Sequence, residues 1–360
     1  MHKPGLKKFG KRVLQIGLPI IILALFVYQL KKNWADLTAY TFHLNVGLLA
    51  LAFFGFMLQE LSYGLIWKSI LARLGTRLGL RTSLRIYLAS EFVRYIPGNV
   101  WHVLTRILWV GKYGVSRPVA FASMAIELIT KLAAGVLVFS ISILFWQDIG
   151  KVGSLLDGSL LDILGIASII ILFIGLHPRI LNGVLNWLLI RMKREPIQLT
   201  LRYSDILYIT LAWCASWVVA GTAFYVLLLA LWPAAPIVAW PICIGIYAIA
   251  WDIGFVSFIT PSGLGIREAA IVALFALALP LPTGLASIIA LLSRLVSTIA
   301  EAVCVSIAYL SGGKQELTIQ QETNAQLTQI DDEKNLQTET ETFATELASN
   351  IPIEGGVKGE

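Results

Sequence analysis

The sequence predicts an all-α polytopic membrane protein with about six full spans plus two oppositely inserted re-entrant helical hairpins related as an inverted repeat. Three observations predict it. Hydrophobic residues make up 57% of the 360, charged residues 14%, and the mean hydropathy is +0.76, far from the balance of a water-soluble domain. Two long apolar runs are broken by turn-forming residues, at Pro97-Gly98 and at Pro261-Ser262-Gly263-Leu264-Gly265. A displacement of 164 residues lays Pro97 on Pro261, Pro118 on Pro282, Ala122 on Ala286 and Ser123 on Ser287. Two proline breaks and an Ala-Ser at matched distances predict a duplicated hairpin-plus-helix unit, an arrangement common in transporters.

The elements follow in chain order. Lys3, Lys7, Lys8, Lys11 and Arg12 precede an apolar run from Val13 to Leu30, too long for a signal-peptide core and without a nearby small-x-small cleavage site. It is expected to be a retained first span. A second span runs from about Leu44 to Ile70, followed by Arg73, Arg77, Arg81 and Arg85, which the positive-inside rule places in the cytoplasm. Between Ser83 and Tyr113, about thirty residues hold Pro97-Gly98 at their centre. Each half reaches about 20 Å at 1.5 Å per residue, short of a core about 30 Å thick, so a re-entrant hairpin fits. Non-helical backbone at that depth must face protein or a wet cavity.

Further spans are expected from Pro118 to Trp146, with proline at the helix start, and from about Leu160 to Leu176. The next segment, with Arg179, Arg191, Lys193, Arg194 and Arg202, reads as a cytoplasmic loop. A fifth span covers about Ser204 to Trp232 and ends in Pro233-Ala234-Ala235-Pro236. From Ile237 to Leu279 the chain forms the second hairpin, entered from the opposite side, and a sixth span covers about Gly284 to Leu310. Both termini are then cytoplasmic, and the loops near Asp148 and Pro233 face outward.

The chain thus divides into a membrane domain, residues 1–311, and a polar acidic tail, residues 312–360, expected to be disordered and dispensable. The tail holds ten acids and three lysines, so the overall charge of +6 leaves +13 on the remainder. Cys214, Cys243 and Cys304 lie in apolar runs without CxxC spacing, and His2, His43, His102 and His177 have no ligand spacing. No metal, cofactor or nucleic-acid partner is expected. Without a visible nucleophile, metal set or nucleotide loop, an enzyme is disfavoured.

Function is expected at ionisable residues that cannot reach water, because such groups in a bilayer face a bundle interior or a cavity. Around the first break these are Glu91, Arg94, His102 and Arg106, and around the second Asp252, Arg267 and Glu268. On spans they include Glu60, Glu127, Lys131 and Arg294, while Glu301, near a span end, is expected to reach the interface. Glu127 and Lys131, four apart, share a helix face and read either as a self-contained ion pair or as midplane site residues. In each hairpin the second half-helix starts just after the break, at Gly98-Asn99 and at Gly263-Leu264-Gly265. Free N–H groups there attract anions and glycine admits close approach. With Pro97 and Pro261 making the breaks, Arg94, Arg106, Arg267 and Arg294 are expected to form a cationic midplane site for a phosphate-bearing headgroup. The competing reading is tight helix crossing at small residues.

The stretch Glu91-Phe92-Val93-Arg94-Tyr95-Ile96-Pro97-Gly98-Asn99-Val100-Trp101, with Arg106 and Gly114-Val115-Ser116, resembles the first signature of the lysylphosphatidylglycerol synthase transmembrane-region, or flippase-like, family. Pro261-Ser262-Gly263-Leu264-Gly265-Ile266-Arg267-Glu268 resembles its second, with Ser262 where the family commonly has glycine. The resemblance covers most of residues 10–311 and implies a stand-alone member without the aminoacyl-transferase domain. It implies a plasma (bacterial inner) membrane protein that translocates a phospholipid or polyprenyl-phosphate lipid. The alternative is a non-transporting subunit or scaffold for an envelope glycosyltransferase or lipid-modifying enzyme.

Overall fold

A computed structural model describes residues 44–91, 93, 101–146, 158–191, 201–257, 263–279 and 281–310. The expected first span Val13–Leu30, the first break point, Pro261-Ser262 of the second and the tail lie outside the described residues. The chain divides into two units, Met1–Tyr309 and Leu310–Glu360, and all described residues except Leu310 belong to the first.

Among the described residues there are ten helices and no strand. The first four are α1 (Val46–Arg73), α2 (Leu80–Glu91), α3 (Trp101–Gly111) and α4 (Arg117–Ile143). Then come α5 (Gly158–Gly175) and α6 (Pro178–Arg191), followed by α7 (Tyr203–Leu231), α8 (Ala239–Val256), α9 (Ile266–Ala278) and α10 (Thr283–Leu310). The displacement of 164 residues brings the start of α3 to within one residue of the start of α9, and that of α4 to within two of α10. The order of a long helix, a broken pair and a long helix therefore occurs twice, as α1–α4 and as α7–α10.

Among the described residues five helices are long and apolar enough to cross a membrane, α1, α4, α7, α8 and residues Thr283–Ala308 of α10, and a sixth span results if the bent pair α5–α6 is one. Four match expected spans, but α8 was expected as a hairpin arm. Its 18 residues reach about 27 Å, nearly a full core thickness. The expected span near Leu160–Leu176 is α5, whose described part meets α6 at a 70° bend. The stretch from Arg179 to Arg191, expected as loop, is helical, because Ile180, Leu181, Val184, Trp187 and Ile190 recur among its polar residues at helical spacing. By contrast α2 and α3, at 12 and 11 residues, reach only about 18 and 17 Å and pack against each other, as two arms of a hairpin would.

α1 and α7 run antiparallel and are pinned at both ends. Asn45, which caps α1 by accepting from the Leu48 N–H, donates its own N–H to the Ala230 carbonyl, while Arg73 meets Asp205 at 3.2 Å. Small residues set the crossings. A Cβ on Gly55 would press on Ala223, and one on Gly221 would collide with the Ile244 backbone. The exposed face of α1 carries Leu51, Phe54, Leu58 and Leu65, whereas its buried face carries Gln59, Glu60, Tyr63 and Trp67. Apolar groups outside and polar groups inside are the pattern of a helix whose surroundings are lipid.

Candidate functional site

A cavity of about 240 Å³ lies inside the bundle. The first broken pair brings Glu91, His102 and Arg106 to its wall, and the second brings Gly263 and Arg267. The long helices add Glu127 and Lys131 from α4 and Arg294 from α10. Residues far apart in sequence thus share one polar chamber. Gly265 and Glu268 sit beside it, while Arg94, Pro97, Gly98, Asn99 and Pro261 lie outside the described residues.

Arg106 is the most completely engaged of the charged groups. Its Nη1 donates to Glu127 at 2.6 Å, its Nη2 to Glu91, and its Nε to the Ser90 hydroxyl at 2.9 Å. The guanidinium plane lies over Tyr87, 4.0 Å from the ring centroid. The Tyr87 hydroxyl in turn donates to the other Glu127 oxygen at 2.8 Å. Charge-assisted bonds of this kind are the strong ones. Two carboxylates, Glu91 and Glu127, thus neutralise Arg106.

Glu127 and Lys131 do not form a self-contained pair, one of the two readings of their spacing, because each has other partners. Glu127 turns both oxygens to Arg106 and Tyr87, and Lys131 points its ammonium into a cage of aromatic rings. Nζ lies 3.7 Å from the Tyr63 centroid, 4.0 Å from that of Trp251, 5.0 Å from Trp213 and 5.9 Å from Trp217. Each such contact contributes about 0.5–2 kcal/mol when desolvated. The Trp217 indole also donates to the Lys131 carbonyl at 3.2 Å.

At the second break the expected free helix N-terminus is occupied. Glu268 reaches back to accept from the Gly265 N–H at 2.6 Å, and its other oxygen accepts from Arg294 at 3.0 Å. An N-terminal carboxylate complements the helix dipole and takes one of the donors an anion would have used. Gly263 has φ of +67°, and a Cβ there would lie 2.7 Å from the Gly254 backbone. Its missing side chain serves a close crossing of α8 at the cavity wall.

Arg267 is the exception in this accounting. Its guanidinium stands 4.6 Å from the Tyr247 ring, and its Nε and Nη2 make no hydrogen bond. Arg267 lines the chamber, and these two donors of a permanent cation are buried without an acceptor.

Several wall residues fall outside the expected site. Glu301 is 1% exposed and, instead of reaching the interface, lines the cavity, where it joins Glu60, expected among the buried ionisable residues and 5% exposed. The cage rings were also not expected, although Trp213 and Trp217, like Tyr247 and Trp251, stand four apart and so share helix faces. No group of three His, Cys, Asp or Glu able to hold a metal occurs among the described residues.

No curated protein matches the chain. The sequence pattern of the family described as the lysylphosphatidylglycerol synthase TM region matches residues 14–303, well over half of the chain and the whole of the cavity wall. The chain is a multi-pass membrane protein and belongs to that family.

Proposed function

We propose that the protein binds the phosphate-bearing headgroup of a membrane lipid in this cavity and carries it across the bilayer while the lipid chains stay outside. The observation that carries the proposal is Arg267, a cation at the second break that lines a chamber also walled by the first break and keeps two buried donors without a hydrogen bond. Buried guanidinium donors left without an acceptor are expensive unless an anion completes them, and a phosphate oxygen pair matches the fork. The volume, about 240 Å³, suits a headgroup rather than a whole lipid. Membership of the lysylphosphatidylglycerol synthase TM region family supports a role in lipid handling. On this reading the helix sets α1–α4 and α7–α10 face opposite ways as an inverted repeat, so that either side can open to the same site. The protein forms and breaks no covalent bond.

Reconstitution into vesicles of phosphatidylethanolamine and phosphatidylglycerol, with a fluorescent phosphatidylglycerol as probe, tests the proposal. Wild type should move the probe between leaflets, and Arg267→Gln should slow it about tenfold or more, the loss of one charged hydrogen-bonding partner. Probe movement equal to that of empty vesicles would leave the scaffold reading ahead.

A further inference from the structure

Asp252 is a buried charge that the headgroup site does not use. It lies on α8 one turn before the helix ends at Val256, beside the second break. The residue is 5% exposed, and neither carboxylate oxygen accepts a hydrogen bond. A buried ionised carboxylate in that state costs several kcal/mol, so its ionisation depends on what stands near it. The carboxylate fills the notch over Gly135, where an added Cβ would collide with it.

The charged groups near Asp252 and their own partners come from several helices. α4 supplies Lys131, one turn from Gly135, and this ammonium is the charge that acts on Asp252. The next carboxylate along α4, Glu127, is taken up by Arg106 and Tyr87. α7 brings the indoles of Trp213 and Trp217 to Lys131, and α1 brings the Tyr63 phenol. On α9, Arg267 lies over Tyr247 while Glu268 is held by Arg294 and the Gly265 N–H. A bound metal cation would need several oxygen ligands. A proton needs one.

The ring cage matters because it holds the Lys131 ammonium without help from Asp252. Asp252 can therefore gain or lose a proton while its counter-charge stays in place, and that counter-charge, Lys131, is a residue of the cavity wall. We infer that Asp252 is a proton-binding site that exchanges with the cavity past Lys131 and couples proton movement to the headgroup movement proposed above, on which the coupling rests. The step forms one O–H bond, with the proton drawn from cavity water, and involves no electron transfer. Protonation removes the negative charge of Asp252 and makes the surroundings of the chamber one charge more positive, which favours an entering phosphate. By linkage, an anion in the chamber favours the protonated form by the same factor.

Two readouts separate this inference from the transport reading. Infrared difference spectra of the purified protein in detergent, taken between acid and neutral pH, should contain a carboxylic-acid band that Asp252→Asn removes and Glu60→Gln keeps. In vesicles with fluorescent phosphatidylglycerol, a pH gradient should change the wild-type rate about fivefold or more. That response should vanish in Asp252→Asn and persist in Arg77→Ala. Absence of an Asp252-dependent band, or a wild-type rate indifferent to the gradient, would overturn the inference. If wild type moves no probe at all, the transport reading and the coupling both fail, and the infrared band still decides whether Asp252 binds a proton.

Discussion

Nη1 of Arg106 donates to Oε2 of Glu127 across 2.6 Å, joining the second arm of the first broken pair to the middle of the long helix that follows it. With Glu91 on the other side, one arginine holds two buried carboxylates, and removing it would leave both without their cation. Arg106→Ala is therefore expected to destabilise the protein by about 3–5 kcal/mol. Thermal unfolding in detergent checks this, and a melting temperature equal to wild type would contradict it. Loss of transport in this variant would report lost structure, which is why Arg267 is the informative position.

Gly263 should tolerate no side chain. A methyl group there meets the Gly254 backbone and must also adopt a positive φ, so Gly263→Ala is expected to cost about 1–3 kcal/mol. Gly111, with open space around its Cβ position at the end of α3, serves as control, and Gly111→Ala should be neutral. Equal stability of the two variants by thermal unfolding would argue against the tight crossing.

The ring cage makes a separate prediction. Trp217→Phe keeps an aromatic ring but removes the indole donor to the Lys131 carbonyl, a buried bond, and is expected to cost about 1–2 kcal/mol. Trp187, 61% exposed on α6, should accept the same change with a far smaller effect on chemical unfolding. A reversed order would place the cage elsewhere.

Much of this architecture was legible in the chain because proline and glycine punctuate it. Pro118 at the start of α4, the Pro233 turn after α7 and the matched spacing of the two breaks all mark ends of elements that the structure contains. The helix at Pro178–Arg191 was not legible because its basic residues outweighed its apolar spacing. Side-chain partners were harder still. Glu127 and Lys131 satisfy the local four-residue rule, yet Arg106 from one side and rings from α1, α7 and α8 from the other outcompete it. Those partners lie up to 120 residues away in sequence, from Lys131 to Trp251, and local spacing carries no trace of them. Glu301 was misplaced for the same reason, since nearness to a helix end does not say which face is covered.

The most direct test of a headgroup site shared by the two breaks is photocrosslinking with a phosphatidylglycerol that carries a photoreactive group on its headgroup. In wild-type vesicles the label should fall on cavity-wall residues from both helix sets, at Val103 or Met124 of α1–α4 and at Phe255 or Thr298 of α7–α10, and Arg267→Gln should reduce it about tenfold. Label confined to the lipid-facing residues Leu51, Phe54 and Leu58, unchanged by Arg267→Gln, would contradict a headgroup site in the cavity.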